Sequence, residues 1–376
     1  MQTSLPTGKT GGRQLYPDVA RVLAIISISL NHAVNRTYNN YSNQMQEFLE
    51  ISLGSTILNT FVTVFSQLGV PLFLMISGAL LLNKRIENGQ DVKRFYKHNL
   101  LSLFITAEIW YFLMYWCILL LDPGNHILET EGFGGAILNL FSTMLFVNQT
   151  TFGSMWYMPM ILCLYVTIPF AVIVKDKVPG RYLCLPLLLV FLRMMLLPTV
   201  NAIRSFQGQA QFSSIIREAN LCSVYYLYVF AGYWVSRKKL SKLRNWMVLT
   251  AADVFFAACC AFQFYAYQQP DNYLVSYESP AILLCAVFVF ETIRRYSHLL
   301  KRLKTAITAL SKMCFGIYFI HIIIMSLLVW YMNFTGWHRS VKLLFLEAVS
   351  VLGSIVIIAL LSKIKVCRKY LFDMKD

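Results

Sequence analysis

Two residues near the start of the chain have types and a spacing that could do chemistry, Arg21 and His32. Both fall in the apolar run that begins near Val19. In a helix, eleven residues at about 100° each bring the side chains back to one face, with a rise of about 16 Å. That is too long for a direct pair. One face thus presents a guanidinium near one end and an imidazole nearer the other. It would suit a long substrate, its anionic end on Arg21 and its reacting end near His32. The alternative is an arginine snorkelling to the headgroups and a histidine bonded to a neighbouring helix. His321, mid-span at the end of Phe315-Gly-Ile-Tyr-Phe-Ile-His321, offers a second buried imidazole. It could relay a proton, touch substrate, or make a packing hydrogen bond.

Other groups carry weaker signals. Ionisable residues inside apolar runs are costly and usually functional, and they include Glu108, Arg193, Asp253, Glu291 and Glu347. Arg193 is taken as a further substrate contact, whereas Glu291 and Glu347 read as end-of-span residues that snorkel. Trp156 and Tyr157 open one span, where aromatic residues are expected of any membrane protein. Gly69, Pro71, Ser77 and Gly78 lie together in another, as close packing or a kink requires. Glu278 lies at the outer start of a span and would either bind an acceptor hydroxyl or stay solvated. The nine cysteines lack CxxC spacing and read as small buried hydrophobes, with no disulfide and no metal assigned. No GxSxG, HExxH, Walker or GxGxxG element occurs.

The elements that must position these residues are membrane helices. Of 376 residues, 57% are hydrophobic and 14% charged, far from the roughly one quarter charged of soluble domains. The expected fold class is an all-α polytopic bundle. Ten spans are read at about 16–36, 58–82, 99–121, 155–174, 182–198, 220–236, 246–267, 277–294, 312–332 and 341–363. Segment 133–148 is too short to cross a ~30 Å hydrocarbon layer and is read as interfacial or re-entrant.

Charge placement supports that count. One set of loops holds Lys84, Arg85, Lys93, Arg94, Lys97, Lys175, Lys177, Arg181, Arg237, Lys238, Lys239, Lys242, Arg244, Arg294, Arg295, Lys301, Arg302 and Lys304. Both tails are basic as well. The other set carries only Arg36, Arg204, Arg217, Arg339 and Lys342. Both termini are therefore expected in the cytoplasm. The net charge of +15 is mostly this topological signal and not a nucleic-acid footprint. The polar residues 1–14 are not expected to be a cleavable signal peptide. One domain spanning 1–376 is expected, with no soluble domain fused at either end.

In order along the chain, several segments resemble the membrane-bound acyltransferase family 3. Asp18-Val-Ala-Arg21 followed by His32 resembles its first-helix pattern. Gly69-Val-Pro-Leu-Phe-Leu-Met-Ile-Ser-Gly78, a basic first loop, Trp156-Tyr157, Tyr226-Leu-Tyr-Val-Phe-Ala-Gly232-Tyr233 and Ser311 to His321 follow. The resemblance covers nearly the whole chain. One departure stands out: where members often carry Arg-x-x-Arg, this chain has Arg94-Phe-Tyr-Lys97. Lysine still binds phosphate, but without the bidentate fork.

The resemblance implies transfer of an acyl group, usually acetyl, from cytoplasmic acyl-CoA to a hydroxyl of a cell-envelope or exported carbohydrate. The setting would be a multi-pass protein of a bacterial plasma or inner membrane, with no permanently bound cofactor. His32 would be catalytic, and Arg21 would serve the donor or the fold of the site. Arg94 and Lys97 would hold donor phosphates. Asp18, Trp156, Tyr157, Arg193, Glu278 and His321 would contact substrate. His32 could act as general base or take the acyl group itself. Two other classes remain open. A transporter or exporter would use the same cavity without acyl transfer, and a scaffold subunit would tolerate loss of Arg21 or His32.

Overall fold

A computed structural model of the chain describes residues 14–38, 44–147, 153–212 and 223–374. Its principal helices are α1 (Tyr16–Asn35), α2 (Leu53–Ser66), α3 (Gly69–Leu81), α4 (Leu101–Leu121), α5 (Gly132–Met144), α6 (Tyr157–Lys177), α7 (Gly180–Phe206), α8 (Tyr225–Ser236), α9 (Asn245–Ala266), α10 (Pro280–Tyr296), α11 (Lys304–Tyr331) and α12 (Arg339–Leu361). No strand occurs among the described residues.

Seven helical stretches are long and apolar enough to cross a membrane: Leu53–Leu81, Gly89–Leu121, Tyr157–Lys177, Gly180–Phe206, Asn245–Ala266, Pro280–Tyr331 and Arg339–Leu361. Eight of the ten expected spans fall inside them, because Pro280–Tyr331 holds two, joined by the 3-10 turn Ser297–Leu303. The other two correspond to α1 and α8, which lie inside the bundle. Residues 220–222 of the expected sixth span lie outside the described residues. α5 has 13 residues, a length of about 20 Å, short of the ~30 Å a crossing requires.

Burial sorts the helices. Within its most apolar stretch, Leu53–Leu81 is 72% buried by protein, while α7, α9 and α12 reach only 17%, 22% and 28%. These three present apolar faces such as Leu188, Val254 and Leu352 outward, as lipid-facing helices do. Cys163 and Cys184 also face outward, correcting the expectation of uniformly buried cysteines; Cys259, Cys285 and Cys314 do fit it.

α1 runs through the middle, against α2, α3, α10, α11 and α12. Small residues make the closest approaches. A Cβ on Gly78 would lie 1.8 Å from the Val229 carbonyl oxygen, and one on Gly232 would lie 2.0 Å from that of Met75. α3 and α8 therefore touch backbone to backbone, each through its own glycine. A Cβ on Gly69 would likewise meet Ile28 Cγ1 at 2.6 Å, against α1.

The expected single span 58–82 is two helices, broken at Gln67–Leu68. Pro71 has no N–H for the carbonyl four residues back, so the ladder stops there. Ser27 on α1 occupies the break, its hydroxyl lying 2.9 Å from the carbonyl oxygens of Phe65 and Ser66.

The end residues make two further corrections. Glu291 does not snorkel; it is fully buried and held by Arg294 Nε at 2.8 Å and Arg295 Nε at 2.6 Å. Arg295 also donates to the Leu240 and Leu243 carbonyls, which ties the basic loop after α8 to α10. Glu347 lies well inside α12 and accepts from Ser29 of α1 at 2.8 Å.

Candidate functional site

α1 and α11 run side by side and are cross-linked at matched heights. Near the basic end, Arg21 Nη1 donates to Asp18 Oδ1 at 3.0 Å and to Ser311 Oγ at 3.4 Å. Ser311 Oγ donates to Asp18 Oδ1 at 2.8 Å, and Thr308 Oγ1 lies 3.4 Å from Asp18 Oδ2. About three turns further along, in the last turn of α1, the His32 and His321 rings lie 5.4 Å apart between centroids, tilted by 36°. At the far end Arg36 Nη2 donates to Ser326 Oγ at 2.8 Å. Asp18 is buried and engaged with Arg21, so it orients the guanidinium and does not meet the cavity itself.

Two cavities open on this pair of helices. The first, of about 480 Å³, is lined by Arg21, Ser77, Tyr165, Ser311, Lys312 and Asp373 among others. The second, of about 100 Å³, is lined by Asn31, His32, Ser66, Gln67, Trp156 and Tyr277. Tyr157 and Tyr318 line both, and their rings lie 6.0 Å apart. The two tyrosines thus stand between an arginine chamber and a histidine chamber. The break between α2 and α3 supplies Ser66 and Gln67 to the second chamber, and Asn31 Nδ2 reaches Ser66 Oγ at 2.9 Å. The motif glycines and Pro71 act here through packing: they create the break and seat it against α1.

An aromatic group stands at the histidine chamber. Trp156 stacks on Tyr277 at 5.5 Å and 19°, and on Tyr225 at 6.2 Å and 30°. Trp156 is 36% exposed. The backbone carbonyl of Tyr277 is fixed by the hydroxyl of buried Tyr228. Glu278 is exposed beside this group, and partial desolvation raises its carboxyl above the usual range.

Of the residues expected at the site, Arg21, His32, Trp156 and Tyr157 line the two chambers and His321 lies beside His32. The other expected residues lie elsewhere. Arg94 and Lys97 are exposed on a helical extension before α4, separated by the start of a π turn (Tyr96–Leu100), and line neither chamber. Arg94 faces Asp91 at 3.8 Å. Arg193 sits in the π turn Leu192–Leu196 of lipid-facing α7, also outside both chambers. Lys312 at the arginine chamber was missed, although it follows Ser311 directly. So was the C-terminal tail. The tail folds back under the bundle, with Leu371 O accepting from Trp110 Nε1 at 2.7 Å and Asp373 Oδ1 from Ser102 Oγ at 2.5 Å. Phe372 is buried there. No local pattern marks a tail that returns.

A bundle of membrane-length helices with two chambers that share Tyr157 and Tyr318, one holding a guanidinium and one an imidazole, defines a multi-pass membrane protein with a candidate site between its helices. The chain matches the acyltransferase domain family over residues 14–363, nearly its whole length, and belongs to that family. No curated protein and no solved structure matches the chain.

Proposed function

We propose that this membrane acyltransferase moves an acyl group, acetyl in the first instance, from cytoplasmic acyl-CoA to a hydroxyl of a cell-envelope or exported carbohydrate. One observation carries the reading: a single face of α1 lines both chambers, with Arg21 in one and His32 in the other, and they meet at Tyr157 and Tyr318. The arginine chamber lies toward the basic, cytoplasmic end. Arg21 and Lys312 there suit the anionic portions of the donor. The thioester would pass between the tyrosines toward His32. The Trp156–Tyr277 group at the histidine chamber suits the apolar face of a sugar ring, and Asn31 and Gln67 suit its hydroxyls.

In this mechanism His32 takes the proton of the acceptor hydroxyl as its oxygen attacks the thioester carbonyl. The tetrahedral intermediate then collapses, the carbon–sulfur bond breaks, and the imidazolium returns the proton to the departing thiolate. General-base help of this kind is typically worth about 10²–10⁴-fold. The test is purified protein in detergent or vesicles with radiolabelled acetyl-CoA, following both CoA release and label on acceptor. Wild type is expected to transfer, and a folded His32→Ala variant to lose about 10²-fold or more in kcat. Substrate flux across vesicles with no CoA release would replace this reading with transport.

A further inference from the structure

His321 has chemistry that packing does not explain. It is fully buried on α11, and its Nδ1 lies 2.6 Å from the Ile317 carbonyl oxygen. A carbonyl oxygen only accepts, so Nδ1 carries the proton and Nε2 carries the lone pair. Nε2 is buried and has no hydrogen-bond partner. A buried acceptor left unmade costs about 1–3 kcal/mol, so the position calls for a donor that the resting structure does not supply.

His32 is the group placed to supply it. The ring centroids are 5.4 Å apart. Two imidazoles joined edge to edge by an N–H···N bond of about 2.9–3.0 Å have centroids about 5.2–5.3 Å apart. With His321 held by Ile317, the contact would be closed by rotation of the His32 ring. Of the charged groups nearby, Arg36 gives Nη2 to Ser326, and Glu347 accepts from Ser29 through Oε2 while its buried Oε1 has no partner. The surrounding helices confine both rings, since Tyr318 lies 6.4 Å from His321 and also lines the His32 chamber.

We propose that His321 is a positioning residue for His32: its fixed Nε2 accepts the N–H of one His32 nitrogen and so aims the other nitrogen, lone pair outward, at the acceptor hydroxyl. This rests on the acyl-transfer reading above. When His32 takes the acceptor proton, the imidazolium keeps its second N–H on His321, and no proton leaves the pair until the thiolate is reprotonated. The second imidazole fills the place that a carboxylate or carbonyl takes behind many catalytic histidines.

The test compares two amides. In His321→Gln the side-chain oxygen reaches the place of Nε2 and keeps the acceptor. In His321→Asn the amide N–H sits at the place of Nδ1, keeping the bond to Ile317 and losing the acceptor. The expected result is Gln within about threefold of wild type and Asn about 10–100-fold lower in kcat, the range typical of a lost orienting partner. KM for donor and acceptor should stay nearly constant in both. A purely structural His321 predicts the reverse order, because the Ile317 bond then matters most, and it predicts that kcat tracks the thermal midpoint. Either that order or equal rates in the two variants would overturn the inference. Wild-type protein that transfers no acyl group would instead remove the acyl-transfer reading itself.

Discussion

Arg21 depends on its neighbours more than its sequence position implies. Asp18, Ser311 and Thr308 form a small polar cluster around it, and Asp18 within that cluster is 1% exposed. Removing the Asp18 charge leaves the guanidinium without its anchor at a chamber it must face. Asp18→Asn is expected to raise donor KM by about tenfold, equivalent to about 1.4 kcal/mol, with acceptor KM unchanged. The side chain of Arg21 is itself 28% exposed, so solvent softens the loss. Steady-state kinetics against each substrate in turn would check this, and an unchanged donor KM would mean that Arg21 holds its place without Asp18.

At the scale of elements, the glycines carry the argument. Overpacking costs about 1–3 kcal/mol where neighbours can move. At Gly78 and Gly232 the neighbour is backbone, 1.8 and 2.0 Å from a notional Cβ, so the upper part of that range applies. Gly78→Ala and Gly232→Ala should each lower the thermal unfolding midpoint in detergent. Gly54→Ala, where nothing lies within 4 Å, should leave it unchanged. The same elements mark what the sequence made legible. Hydropathy and the alternation of basic loops located the helices, since each signal is local and periodic. The break at Gln67–Leu68 was foreshadowed only by Pro71 and Gly69, because it also needs Ser27 from another helix to take the freed carbonyls. Glu291 and Glu347 were misread for a related reason. The partner of Glu347, Ser29 on α1, is remote in sequence, whereas Glu291 has Arg294 and Arg295 one helical turn away and is buried because Arg295 also reaches the Leu240 and Leu243 carbonyls of the preceding loop. Arg21 and His32 could be paired through helical spacing, whereas the approach of His321 to His32 depends on how α11 docks on α1.

For the molecule as a whole, the site is closed by parts from both ends of the chain. α1 supplies Arg21 and His32. The tail after α12 supplies Asp373 and Met374 to the wall of the arginine chamber, and Phe372 to the core beneath it. Phe372 packs against Trp110 at 6.5 Å, and a Cβ on Gly316 would come within 2.7 Å of its ring, so the tail is seated on both α4 and α11. Trp110 in turn stacks on Phe319 at 4.9 Å, two residues from His321. Deleting residues 365–376 would leave the membrane helices intact but open the basic side of the donor chamber. The expected outcome is a protein that still inserts and purifies as wild type does, with donor KM raised about tenfold or more, since the lost wall removes binding area without touching His32. Phe372→Ala should move in the same direction by a smaller step, because it empties the anchor while leaving the Trp110–Leu371 and Ser102–Asp373 bonds available. A truncated protein with normal donor KM and lowered kcat would place the tail's effect on the chemical step and not on the donor chamber.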